Sequence, residues 1–243
     1  MRENCNVLAI VPARAGSKGV KDKNILKLGS RSLIGWAGWC LCQLDWIDQA
    51  VLSTDSATYA QEGERSGLLV PSLRPEELSS DSASAVDVIK HVLQQSEKSQ
   101  SKVFDVILYL EPTSPFRTPK NIEECFDLLI RNNYDSVVSV SPINTKFHPL
   151  KALALRTGSD KNQLDYYEPR GHRIVARQQL DPCYMRNGIV YALTRSAVLD
   201  GLIIGPNTGA YVVNKNVVNI DDPEDVHWAN FLIQNGQAPY FFN

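Results

Sequence analysis

Four short strand-like segments, VLAIV (Val7 to Val11), QAVLSTDS (Gln49 to Ser56, running into a polar end), DVILYLEPTSP (Asp105 to Pro115, stopping at Glu111-Pro112) and SVVSVSP (Ser136 to Pro142), punctuate the first 142 residues. Each is rich in β-branched or aliphatic residues with no polar alternation, the pattern of a strand buried on both faces. Between them lie segments of helical periodicity: SLIGWAGWCLCQL, with Ser32 able to cap it, SAVDVIKHVLQQSE, and TPKNIEECFDLLIRNN, capped by Thr118 with Pro119 in the first position. Strand, loop, helix, strand implies right-handed crossovers and a parallel sheet with helices on both faces. The polar residues cluster just past the strand ends, so a ligand is expected in the crevice at the carboxyl edge of that sheet.

The rhythm breaks from Ile143 to about Leu180, where polar and aromatic residues mix without a crossover helix. A long structureless loop inside a compact domain is unusual, so this stretch reads as an excursion of hairpins serving a binding site or a subunit contact. The pattern resumes at GIVYAL (Gly188 to Leu193), and VVNIDDPEDVHWANFLIQ (Val217 to Gln234) reads as a strand, an acidic turn and a final helix. The 243 residues carry no internal repeat or linker and are expected to form one domain, 1–243, with 143–180 inserted in it.

Lys and Arg number 25 against 27 Asp and Glu, so a net charge of -2 supplies no global field for a nucleic-acid backbone. Any polyanionic partner is expected to be small and locally held. No apolar run is long enough for a membrane span or a signal-peptide core, which leads to the expectation of a cytoplasmic protein. Five scattered cysteines (Cys5, Cys40, Cys42, Cys125, Cys183) form no C-x-x-C pair and are expected to be reduced packing thiols.

Two segments carry chemistry. In VPARAGSKGVKDKN, Gly16 and Gly19 let the backbone turn tightly while Arg14, Lys18, Lys21 and Lys23 bring positive charge to the end of the first strand. This suits a triphosphate, although it is neither a P-loop nor a dinucleotide fingerprint; composition alone leaves a solvated basic turn as the alternative. In NIDDPED, Asp221, Asp222, Glu224 and Asp225 crowd one turn. Carboxylates there suit a hard cation such as Mg2+. Helix capping by Asp222, with Pro223 in the first position, accounts equally for Asp222, Glu224 and Asp225 but leaves Asp221 unexplained. A basic loop facing a metal-binding carboxylate is what phosphoryl and nucleotidyl transfer require, because charge grows on phosphate oxygens in the transition state.

PARAGSKGVKDKN, RPEELSSDSAS (Arg74 to Ser84), LEPTSPFR (Leu110 to Arg117), RQQLDPCYMRNGIVY (Arg177 to Tyr191) and NIDDPED together resemble, in order and spacing, the cytidylyltransferases that activate sialic acid and related nonulosonic acids. The resemblance implies an α/β, Rossmann-like three-layer nucleotidyltransferase fold with a mostly parallel sheet and an inserted dimerisation subdomain at 143–180. It implies the reaction of CTP with a 2-keto-3-deoxy sugar acid to give a CMP-sugar and pyrophosphate, with Mg2+ as cofactor. By the same resemblance, Ala13, Arg14, Ser17, Lys18 and Asn24 bind the nucleotide, and Arg74 and Ser84 recognise cytosine or ribose. Arg14, Lys23 and Asp221 serve catalysis, and Asp221 with Asn219 holds the metal. Glu111, Arg117, Lys151, Arg177, Gln178, Asn187 and Tyr191 match sugar-binding positions, Arg177 being suited to a bidentate hold on the sugar carboxylate. A homodimer with sites completed across its interface is implied as well.

On their residues alone, Arg117 reads equally as a helix-flanking salt bridge and Tyr191 as sheet packing. Three positions depart from the family pattern: Glu111 stands where sialic-acid enzymes carry Gln, Asn219 where relatives carry a second Asp, and Leu202-Ile203-Ile204 where a phenylalanine pair reaches across the dimer. A carboxylate at 111 accepts hydrogen bonds and repels an acid, which favours a sugar with an extra donor or an amino group near it. The neighbouring alternative is the same chemistry on an eight-carbon keto-deoxy acid or its amino form. An inactive nucleotide-binding regulatory protein is the alternative of another class.

Overall fold

A computed structural model describes residues 4–158, 161–214 and 217–239. The chain enters through strand β1 (Val7–Pro12), turns through residues 13–26, and forms a small ribbon, β2 (Lys27–Leu28) with β3 (Arg31–Ser32), before helix α1 (Leu33–Cys42). Then follow β4 (Gln49–Ser53), α2 (Ala57–Arg65), α3 (Ala85–Gln100), β5 (Val106–Tyr109), α4 (Pro119–Arg131) and β6 (Ser136–Pro142). A hairpin of β7 (Leu153–Gly158) and β8 (Lys161–Tyr166) precedes β9 (Tyr184–Thr194), α5 (Arg195–Asp200), β10 (Thr208–Val212) and α6 (Pro223–Gln234).

The main sheet runs β10-β6-β9-β5-β1-β4. β1 pairs parallel with both β4 and β5, and β6 parallel with β10, whereas β9 lies antiparallel between β5 and β6. The reversed β9 brings residues 186–188 beside the carboxyl end of β5, where the crevice opens. Alternate residues of β1 divide the core. Val7, Ala9 and Val11 pack with Ile34 and Leu41 of α1, Tyr59 of α2 and Phe126 of α4, while Leu8 and Ile10 pack with Ile89 and Leu93 of α3 and Val198 of α5. The result is three layers around a sheet buried on both sides, as the unbroken apolar runs require.

Local chemistry sets the helix starts. Ser32 Oγ accepts the Gly35 N–H at 2.8 Å, and Thr118 and Asn121 form a reciprocal capping box ahead of Pro119. Helix α2, the short α5 and edge strand β10 were not expected from periodicity. The expected strand at 217–220 is absent: that segment is irregular, and Ile220 N–H donates to Thr113 O at 2.8 Å, pinning it beside the turn after β5. Among the described residues that bond anchors it there without a ladder.

The excursion leaves at Ile143, whose N–H donates to Cys183 O at 2.8 Å. It contains the β7–β8 hairpin and several 3-10 turns. It carries a run of exposed apolar side chains, among them Phe147, Leu155, Leu164 and Tyr167, with Val175 91% exposed. Among the described residues no helix is long and apolar enough to cross a membrane. Cys40 and Cys125 are buried in the core, Cys5 and Cys183 are half-buried, and Cys42 is exposed.

Candidate active site

The carboxyl ends of β1 and β5 and the loops after them enclose a cleft of about 420 Å3. Its basic wall is the loop after β1, held at several points. Ala13 N–H donates to Ser53 O at 2.9 Å, Ala15 N–H to Asp55 Oδ1 at 2.7 Å, and the buried Asn24 amide to Arg14 O at 3.2 Å. Gly19 sits directly on the acidic turn: a Cβ there would overlap the Asp221 carbonyl oxygen, so the close approach of the two charged segments requires glycine.

Within the cleft each loop cation meets an acid. Lys23 Nζ is 2.8 Å from Asp221 Oδ1, and Arg14 Nη2 and Lys18 Nζ lie 2.6 and 2.5 Å from the two oxygens of Asp81. Ser17 and Arg74 also line the wall. Arg74 is clamped at the end of β4, its Nε donating to Ser53 Oγ at 3.0 Å and its Nη1 to Leu78 O at 3.3 Å, and burial draws its pKa down.

The acidic turn resolves into two functions. Asp222 caps α6 by accepting the Asp225 N–H at 3.0 Å, and Asp225 accepts the N–H groups of Asp221 and Asp222 in return. Asp221 and Asn219 are left facing the cleft. Asn219 donates to Asp221 Oδ2 at 2.6 Å, while its own Oδ1 is buried with no hydrogen-bond partner among the described residues. Among the described residues there is no cluster of three metal-ligating side chains. One carboxylate and one orphaned amide oxygen nevertheless fit Mg2+, which commonly takes one or two protein oxygens and completes its shell with phosphates and water.

Glu111 lines the same cleft just past β5. Tyr191 on β9 donates to Glu111 Oε1 at 3.0 Å and packs edge-to-face on Tyr109 at 5.8 Å. Tyr191 therefore packs in the sheet and also orients the carboxylate. Burial first, and the Glu111 charge second, push both tyrosine hydroxyls well above the usual phenol range. Gly188, at φ 69°, leaves the space the carboxylate occupies: a Cβ there would overlap Glu111 Oε2.

Other expected sugar residues lie elsewhere. Arg117 neither reaches the cleft nor forms a salt bridge among the described residues. Its guanidinium is 2% exposed and donates to the main-chain oxygens of Ile189, Glu111 (2.6 Å) and Gly188 (2.9 Å), and burial lowers its pKa to about 10. Three carbonyls converge where β5 and β9 part, and although Glu111 O and Gly188 O also accept the N–H groups of Ser114 and Glu111 at 3.2 Å, a planar multiple donor can bond all three at once, and arginine supplies it. Asn187 bridges Ser139 Oγ (2.6 Å) and Ser141 Oγ (3.0 Å) at the irregularity between β6 and β9. Ser84 caps α3, accepting from Asp87 N–H at 3.1 Å and donating to Asp87 Oδ2 at 2.7 Å, so its hydroxyl is engaged outside the lining of the cleft. Ala13 is buried behind the loop, and Lys151, Arg177 and Gln178 are exposed on the excursion, away from this chain's own cleft.

Sequence reasoning missed Asp81, Tyr109 and Thr113, which also line the cleft. Asp81 lay inside the Arg74-to-Ser84 block, but nothing in one dimension pairs it with a loop 60 residues earlier.

Comparison with known proteins decides the family. Residues 8–199 match the family model described as cytidylyltransferase. This chain belongs to the cytidylyltransferase family. This cytidylyltransferase is 31% identical over 226 residues to the CMP-N,N'-diacetyllegionaminic acid synthase of Legionella pneumophila, covering 92% of this chain and 93% of that protein. It is also 31% identical over 226 residues to the N-acylneuraminate cytidylyltransferase of Escherichia coli, spanning 51% of that longer chain. Its fold matches a CMP:2-keto-3-deoxy-manno-octonic acid synthetase solved with CTP, at a TM-score of 0.68 and 14% identity over 95% of this chain and 99% of that one. The cytidylyltransferase is thus a nucleotidyltransferase with the expected α/β architecture.

Proposed function

We propose that this cytidylyltransferase transfers CMP from CTP to the anomeric hydroxyl of a nonulosonic acid, releasing pyrophosphate. The observation that carries the reading is the cleft itself: the cations of the glycine loop, Arg14, Lys18 and Lys23, stand against Asp221 and Asn219, with the Glu111 carboxylate in the same cleft. Relatives named for legionaminic and N-acylneuraminic acids support the substrate class.

The triphosphate lies along residues 14–24, and the sugar's C2 hydroxyl attacks the α-phosphorus in line. The C2 O–P bond forms as the bond from the α-phosphorus to the bridging oxygen breaks, the electron pair leaves with pyrophosphate, and the proton of the attacking hydroxyl is released to solvent. Arg14 and Lys23 offset the charge that grows on that leaving group. Asp221 and Asn219 would hold Mg2+, which supplies charge neutralisation on the phosphate oxygens. Arg74, locked by Ser53, presents a fixed polar edge to the nucleoside.

Glu111 sits where the sugar enters and accepts hydrogen bonds only. N–H groups of acylamino substituents, or an amino group, suit it better than a bare acid. The exposed Lys151, Arg177 and Gln178, together with the apolar face of the excursion, fit a homodimer in which each excursion completes the partner's cleft. A CTP-dependent synthetase of this kind belongs in the cytoplasm, where its nucleotide is made.

Pyrophosphate release from CTP and Mg2+ with a panel of N-acetylneuraminic, legionaminic, pseudaminic, deaminated and eight-carbon keto-deoxy acids tests the reading. The expected result is release with an N-acylated nine-carbon acid. Release with the eight-carbon acids alone would move the assignment to them, and CTP binding with no release on any acid would favour a regulatory protein.

A further inference from the structure

Asp81 has no part in the chemistry described above, yet it holds two of the cations that chemistry needs. It lies on the turn between the 3-10 segment Glu76–Leu78 and α3. Oδ1 accepts from Arg14 Nη2 at 2.6 Å and Oδ2 meets Lys18 Nζ at 2.5 Å, so both carboxylate oxygens are engaged. Arg14 Nη1 reaches Ser79 O on the same turn at 3.4 Å. Lys18 first, then Arg14, hold the Asp81 carboxyl below the usual carboxylate range, so it is an anion throughout the neutral range. With Lys23 already paired to Asp221, the described lining of the cleft is close to charge balance: Arg14, Lys18, Lys23 and Arg74 against Asp81, Glu111 and Asp221.

We propose that Asp81 is an internal counter-anion that sets which ligands enter the triphosphate subsite. It occupies Arg14 and Lys18 until a polyphosphate displaces it, and it retakes both cations as pyrophosphate leaves. This rests on the assignment of the cleft to CTP. The Asp81 side chain is 52% exposed, so it can swing into water cheaply, and surface ion pairs of this kind are weak enough to be exchanged. A ligand bearing one or two charges, such as inorganic phosphate or the carboxylate of the sugar acid, replaces one anion by a similar one and gains little. A triphosphate brings several charges across the same cations and gains much. The sugar acid is thereby kept out of the nucleotide's place, and the bound product does not hold the loop cations unopposed.

The test compares wild type with Asp81→Asn, which keeps shape and removes charge, and with Asp81→Ala as a second variant. CTP binding is measured by calorimetry, with inhibition by pyrophosphate and by inorganic phosphate measured in the release assay. Both variants are expected to bind CTP and pyrophosphate about three- to tenfold more tightly, the scale of one or two exposed charge pairs. Inorganic phosphate, weak against wild type, becomes an inhibitor of both. Unchanged or weakened pyrophosphate and CTP binding in both variants would overturn the role of Asp81. Wild-type binding of CTP is established first: its absence would contradict the assignment of the cleft itself, whereas its presence with no change in the variants contradicts only the counter-anion.

Discussion

Two arginines 103 positions apart show how differently one side chain can serve. Arg14 is partly exposed and pairs with Asp81, whereas Arg117 is buried on three main-chain oxygens. Arg14→Ala is therefore expected to leave the denaturation midpoint nearly unchanged and to lower kcat about 10²- to 10³-fold, the usual loss for one donor to a developing charge. Arg117→Ala removes three charge-assisted hydrogen bonds to main-chain oxygens and empties the volume of a buried side chain, so it should destabilise the fold by roughly 3 kcal/mol or more. Urea denaturation beside steady-state rates separates the two; equal effects on stability would contradict the placement of Arg117. The buried thiols make a second residue-level prediction. Burial raises Cys40 and Cys125 from 9.0 to about 12 in the folded chain. The unfolded chain thus loses these protons first, and their contribution to stability, complete below pH 9, is lost as pH rises towards 12. The urea midpoint is expected to fall across that window, and Cys125→Ala should flatten the fall; a slope unchanged by that substitution would count against it.

At the scale of elements, the parts most legible in the sequence were those whose signal is local. Ser32 and Thr118 cap helices where the pattern of polar residue, proline and apolar period placed them, and β6 occupies the run Ser136–Pro142. The segment 217–220 looked equally apolar but pairs with no strand among the described residues, and a strand exists only through its ladder. Helix α2 escaped notice because ATYAQEGER has few apolar residues and buries only Tyr59 and Gly63. Ser84 was read through resemblance as a nucleotide ligand, and locally it is a helix cap. Ser84→Ala is expected to cost about 1 kcal/mol of stability as a lost cap, with the KM for CTP unchanged. A large rise in that KM would return Ser84 to the cleft.

For the whole molecule, the three layers and the crevice followed from periodicity, while the composition of the site did not. Basic loop and acidic turn lie 198 residues apart at Lys23 and Asp221, and their ion pair together with the packing of Gly19 on Asp221 joins them in the fold. Asp81 and the carbonyl cradle of Arg117 exist only in three dimensions. The excursion carries Leu155 and Leu164 paired across its hairpin and both exposed, the apolar face on which the proposed homodimer rests. Leu155→Asp with Leu164→Asp is expected to halve the mass seen by light scattering and to abolish turnover while each chain still binds CTP. A wild-type monomer with full activity would remove the excursion from the site.

The central claim is that the α-phosphoryl group of CTP passes to the sugar. CTP labelled at the α- or at the γ-phosphorus, incubated with Mg2+ and the accepted sugar acid, tests it most directly. The account predicts the α-label in a CMP-sugar and the γ-label in pyrophosphate, in equal amounts. Transfer of the γ-label to the sugar, or appearance of the α-label only as free CMP, would contradict it.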